Sequence, residues 1–180
     1  NKTATNKATV IYKLTELEAQ PLTPLMQAEL ASQWQQINEQ QYAIRQLKKA
    51  LTRDPSLNPY WHMTYANWLI ESNDKNAADS WFADYQLPSN ATDAEQSQWL
   101  ALQVNYVNRF SDSNQRVAKL SELATRYPDN PELSEALINA HIEQGNSNQA
   151  ITRFEQHIAN GQTVSTDTAL AIATLARQQQ

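Results

Sequence analysis

The sequence predicts an all-α fold, an α-α superhelix of stacked antiparallel helix hairpins. Three observations carry this. The chain has 2 Gly against 7 Pro in 180 residues, too few glycines for the turns of an antiparallel sheet. "SLNPYW" and "PDNPEL" each place Asn directly before Pro, the chemistry of a helix start: Asn caps, and Pro takes the first helical position. A recurrence is also present. Shifted by 34 positions (68 − 34 = 34), Trp34 falls on Trp68, Ala43 on Ala77 and Leu47 on Trp81. A fixed period of this length marks stacked helix–turn–helix units.

The elements follow in order. Residues 1–7 are expected to be disordered or extended. A short helix over about 8–19 places Val10, Leu14 and Leu17 on one face. A pair near 24–38 and 41–53 rests on Leu30, Ala31 and Trp34, then on Ala43, Leu47 and Ala50. The alanines are small where two helices approach closely, and Leu47 fills the space one turn on. Pro55 disfavours helix at Asp54 and ends the pair. The next pair, near 59–72 and 75–85, carries Trp61, Tyr65, Trp68 and Trp81. A third pair near 94–110 and 114–126 is degenerate, with Gln103 where Leu is expected and Arg116 where a small residue is. The fourth, near 131–144 and 147–159, has Leu137, Ile138 and His141, then Ala150 and Phe154. Gly145 in "QGNSNQA" suits a left-handed helix end. A last helix over 166–178, carrying Leu170, Ile172 and Leu175, has Ser165 or Thr166 as its cap.

These residues resemble the tetratricopeptide repeat (TPR) family. Its first helix runs large aromatic, Leu, small, Tyr-like; its second runs Ala, large aromatic, Ala, then Pro. Here the second helices read Ala43–Leu47–Ala50–Pro55 and Ala150–Phe154–His157. The resemblance implies a tail and short helix over 1–23, and four repeats over 24–57, 58–91, 97–130 and 131–164. The stretch "TDAEQ" (92–96) is an insertion in that scheme, and 165–180 is a capping helix.

Composition removes several function classes. The formal net charge is -5, and an acidic chain without a basic stripe is a poor binder of nucleic acid or anionic membranes. There is no Cys, hence no disulfide, thiolate nucleophile or Cys-ligated metal. No apolar run reaches the length of a membrane span. The sequence begins without Met on "NKTATNKA", so a missing leader carries no conclusion. His62, His141 and His157 lie in different units and match no ligand spacing. His141 and His157 are expected as packed imidazoles and His62 as a surface one. No metal and no cofactor is implied, and no catalytic motif stands out: there is no GxSxG and no phosphate-binding glycine loop. Asn90-Ala91-Thr92 and Asn1-Lys2-Thr3 match the glycosylation sequon, a weak pattern.

What remains is a groove. The family's geometry, projected through the repeats, selects Gln35 and Gln36, then His62, Leu69 and Ile70. It continues with Asn105, Asn108 and Arg109, then Glu135, Asn139 and Glu143. This reads as a peptide groove, with amides for a partner's backbone and an acidic end. No Lys lines it, so capture of a chain-terminal carboxylate in that groove is not expected. The resemblance therefore implies a non-catalytic protein-interaction module for a partner peptide or helix. An assembly subunit docking through the dense aromatic patch of Tyr60, Trp61 and Tyr65 is the alternative. The Gln- and Asn-rich, Lys-poor composition gives the expectation of a bacterial, extracytoplasmic protein within a larger assembly.

Overall fold

The computed structural model describes residues 2–178. Those residues form ten helices and no strand: α1 (Lys2–Glu18), α2 (Pro24–Gln36), α3 (Gln40–Arg53), α4 (Pro59–Glu71), α5 (Lys75–Asp84), α6 (Asp93–Phe110), α7 (Ser113–Arg126), α8 (Pro131–Gln144), α9 (Ser147–Ala159) and α10 (Thr166–Gln178). From α2 onward these match the expected spans to within two residues. The amino terminus differs. Helix α1 begins at Lys2, where residues 1–7 were expected to be disordered or extended. No Pro or Gly interrupts that stretch, and Ala and Lys favour helix. On α1, Leu14 is buried while Val10 and Leu17 are exposed.

The helix starts are those the sequence marks. Asn58 Oδ1 accepts from Tyr60 N–H at 2.8 Å, and Asn130 Oδ1 from Leu133 N–H at 2.8 Å. The "TDAEQ" stretch opens α6. Thr92 Oγ1 accepts from Glu95 N–H, and the Glu95 carboxylate accepts from Thr92 N–H, a reciprocal capping box.

The helix ends explain how two glycines suffice. Asn38 (φ 62), Asn73 (φ 58), Gly145 (φ 80) and Gly161 (φ 74) all adopt the left-handed conformation. Each closes its helix with the same two bonds. Asn38 N–H donates to Gln35 O and Glu39 N–H to Trp34 O. Asn73 and Asp74, Gly145 and Asn146, and Gly161 and Gln162 repeat this pair. This is the Schellman closure, and Asn is the side-chain-bearing residue that best tolerates its geometry. Asn73→Gly is therefore expected to hold stability level or raise it slightly. Asn73→Ala should cost about 1–2 kcal/mol, read as a lower denaturation midpoint with unchanged slope.

Among the turns within a pair, that from α6 to α7 is the exception. Ser111 N–H donates to Val107 O, and Asp112 caps α7. Arg116, standing where the other pairs have Ala, reaches back to the end of α6. Its Nη2 donates to Asn108 O at 3.2 Å and Ser111 O at 3.3 Å, and its Nη1 pairs with Glu143. A guanidinium at a helix C-terminus satisfies free carbonyls and opposes the helix dipole. The degenerate third pair thus has its own turn chemistry.

The chain forms two compact units, 1–102 and 103–180. In the first, α1 packs on α2, α2 on α3, α3 on α4 and α4 on α5. Ala28, Ala31, Ala43, Leu47, Ala50, Ala66 and Leu69 are completely buried. Glu18 of α1 accepts from Trp34 Nε1–H at 2.8 Å and from the Tyr42 hydroxyl. In the second unit, α7 packs on α8 and α8 on α9, and α10 rests on both α8 and α9. Ile138, Ala150 and Ile172 form its centre, joined by Ile142, Ile151, Phe154, Val164 and Leu175. Leu170 is exposed.

The repeat spacing differs from that read off the sequence. Pro24 and Pro59 open α2 and α4, and they lie 35 apart (59 − 24 = 35). Asn38 and Asn73 share the same interval, as do Ala43 and Ala78, both completely buried. Ala78 of α5, not Ala77, is the close-contact alanine of the second pair. The Trp34–Trp68 match pairs residues one position out of register.

Candidate functional site

The groove residues separate by burial. In the first unit Gln36 is exposed and Gln35 half-buried. His62, Leu69 and Ile70 are buried, at 4%, 0% and 4% exposure, which corrects their expected place on a binding surface. For Leu69 the cause is the one-residue register: counted from Pro59 it holds the place of Trp34, whereas Ile70 holds that of Gln35, itself half-buried. A shift of one position turns a helix face by about 100°, enough to exchange groove for core. Counted from Pro59, the places equivalent to Ser32 and Gln36 are Asn67 and Glu71. Asn67 is half-exposed and Glu71 exposed, and Asn67 Nδ2 donates to Glu71 Oε1 at 2.8 Å. In the fourth pair the same two places hold Asn139 and Glu143. Aligning the two Asn/Thr–Pro helix starts, rather than the tryptophans, would have found Asn67 and Glu71.

His62 belongs to an aromatic cluster. Its ring stacks on Tyr85 (4.4 Å, 13°) and on Trp81 (5.6 Å, 18°), and Tyr65 meets Trp81 edge-on at 4.7 Å. Tyr85 also meets Trp99 edge-on, and Phe82 stacks on Trp99. His62 Nε2 donates to Pro55 O at 3.1 Å, since a carbonyl can only accept. Burial holds the His62 pKa below the usual imidazole value, against the pull of the Pro55 and Leu57 carbonyls and Asp54. Tyr85 is pushed up to about 12, by burial first and by the Glu95 carboxylate second. A neutral imidazole and an unionised phenol suit a packing cluster better than acid–base chemistry at neutral pH. Of the aromatic patch, Tyr65 is buried, Trp61 half-buried and Tyr60 53% exposed.

In the second unit Asn105, Asn108 and Arg109 are exposed. At i, i+3 and i+4 they share one face of α6. Glu135 and Asn139 are engaged within the unit. Glu135 Oε1 accepts from Ser165 N–H (2.9 Å), Ser165 Oγ (2.6 Å) and Thr168 Oγ1 (2.8 Å). Asn139 Oδ1 lies 3.0 Å from Thr168 Oγ1. Both therefore hold the start of α10. Glu143 is exposed and paired with Arg116.

The Glu135 carboxyl titrates below the usual range. Desolvation raises its pKa, but hydrogen bonds from the Ser165 hydroxyl and N–H and from Thr168 outweigh this, with His157 adding to them. A depressed folded value means the contribution is present above the unfolded value and lost as pH falls through the folded one. NMR amide signals of Thr168 and Ile172 should therefore titrate in acid, with a midpoint below that of an ordinary glutamate. Glu135→Gln should abolish that titration.

One charged surface was not legible in the overall balance. Helix α3 carries Arg45, Lys48, Lys49 and Arg53 and no acid. With Thr52 and Gln27 they line a shallow cavity of about 510 Å³. This is a basic stripe, contrary to the expectation from net charge. Its spacing, i, i+3, i+4, i+8, was readable in "RQLKKALTR". Arg53 is partly committed, donating to Gln27 Oε1 and Leu22 O at 2.9 Å.

Among the described residues, no group of three or more His, Asp or Glu comes together to hold a metal ion. No helix there is long and apolar enough to cross a membrane.

Helical hairpins, three of them closed by a common turn and carrying a buried alanine between their helices, give the chain a tetratricopeptide-like fold. A solved tetratricopeptide repeat protein from Parabacteroides merdae has the same fold. The similarity covers 99% of this chain and 67% of that one, with a TM-score of 0.52 at 12% sequence identity. No family model matches the chain, and no curated protein matches it.

Proposed function

We propose that the chain is a non-catalytic scaffold that binds a partner peptide or helix. The observation carrying this is that, within each unit taken by itself, polar side chains at groove places of a tetratricopeptide-like fold reach the surface. Gln36, Asn67 and Glu71 supply them in the first unit, and Asn105, Asn108 and Arg109 in the second. Amides offer a donor and an acceptor each, suited to a partner's backbone, and the charged ends fix direction. A larger bacterial assembly, outside the cytoplasm, is the setting this reading favours.

The test is co-purification from the source cell, with the wild type against Asn67→Ala/Glu71→Ala and Asn105→Ala/Arg109→Ala. Loss of the same partner from both double variants, with unchanged circular dichroism, is the expected result. Full retention by both would overturn it. A second reading rests on Tyr60, whose exposed ring sits edge-on to Trp61 at 5.0 Å. Docking through that pair predicts that Tyr60→Ser, and neither double variant, releases the partner.

A further inference from the structure

Helices α7, α8 and α9 border a cavity of about 530 Å³, made of residues other than the groove side chains above. Its lining includes Ser121 of α7, His141 of α8, and Gln149, Thr152, Arg153 and Gln156 of α9. The four α9 residues follow i, i+3, i+4, i+7 and so share one face. None of the lining side chains is acidic.

Two of these groups lack a partner. His141 is 3% exposed, and its Nδ1 is buried with no hydrogen bond. The His141 ring lines the cavity, while Nδ1 itself presents almost no accessible surface. Arg153 is half-buried, with no hydrogen bond or ion pair among the described residues. A guanidinium offers five donors in a fork that matches a carboxylate. Burial, then the Arg153 charge, holds the His141 pKa low, and Arg153 is the permanently charged side chain of the lining.

We propose that this cavity binds a carboxylate, with Arg153 as the fixed cation and the His141 ring in its wall. The amides of Gln149 and Gln156 and the hydroxyls of Ser121 and Thr152 supply further donors around it. One cation matches one anionic group, which favours a monocarboxylate over a phosphate dianion. The carboxylate can belong to a free organic acid or to an acidic side chain of a peptide, and the experiment separates these.

The test is an NMR titration of the ¹⁵N-labelled full chain, reading the His141 ring nitrogens and the Arg153 side-chain N–H. The probes are sodium acetate, a capped glutamate peptide with blocked termini, acetamide, and sodium chloride at matched ionic strength. A saturable shift with acetate or with the peptide is expected, and the tighter of the two identifies the source. Arg153→Gln should weaken it about tenfold or more, and Arg153→Lys by less, as the charge remains but the fork is lost. The spectrum of each variant away from the cavity reports that it is folded. The proposal is overturned if neither carboxylate saturates, if acetamide or chloride reproduces the shift, or if Arg153→Gln binds like wild type. This outcome is independent of the scaffold reading, whose test uses different residues.

Discussion

Leu47→Ala is expected to destabilise the first unit by about 2–5 kcal/mol. Leu47 is completely buried, between Ala43 and Ala50, which are also completely buried. Those alanines let α2 and α3 approach closely, so little neighbouring side chain is free to collapse into the space left behind. The cost therefore belongs toward the upper part of that range, since poor relaxation leaves a cavity and its lost contacts. Chemical denaturation of wild type and variant, followed by tryptophan fluorescence, checks it: Trp34 and Trp68 both lie in this unit and both are buried. Leu47→Met, which keeps most of the volume, should cost less than about 1.5 kcal/mol. Equal losses for the two variants would mean that packing at this point is not what holds the hairpin.

His157→Phe is expected to cost about 2–4 kcal/mol, and to loosen α10. His157 is 1% exposed. Its Nε2 lies 3.1 Å from Thr163 O, so Nε2 carries a proton and donates. In the neutral ring, Nδ1 then accepts from the Ser134 hydroxyl at 3.0 Å. One imidazole thus ties α8 to the connector that leads into α10. Phenylalanine fills similar space but leaves the part-buried Thr163 carbonyl and Ser134 hydroxyl without their partner. The check is a fall in unfolding midpoint accompanied by faster hydrogen exchange in α10. Ser134→Ala, which removes only one of the two bonds, should show a smaller change of the same kind.

How much of this was readable in the residues depends on range. Helix starts were legible because their chemistry is local: Asn58–Pro59 and Asn130–Pro131 fix caps within four residues. The all-α class followed from the same local grammar. Ser165 capping α10 and Gly145 closing α8 were legible for that reason too. The face each helix buries was not, because it depends on register between units. Trp34 and Trp68 are both large and buried, and they attract an alignment that the backbone does not follow. The Asn38 and Asn73 closures set the true interval, yet a left-handed asparagine looks like any other in sequence. That single slip moved Leu69 from the core onto a supposed surface and hid Asn67 and Glu71. Glu135 and Asn139 were hidden differently. Their partners, Ser165 and Thr168, lie about thirty residues on, and no periodicity links them. The α3 stripe was missed for a third reason: net charge averages over the whole chain and says nothing of one helix face.

The grip of Glu135 and Asn139 on α10 bears on any attempt to lengthen the protein. A hairpin grafted after Gln162 would need the same carboxylate and amide that Ser165 and Thr168 now occupy. Newcomer and resident would compete for one berth, so a longer array must be grown by duplicating an interior pair and leaving the final helix where it is.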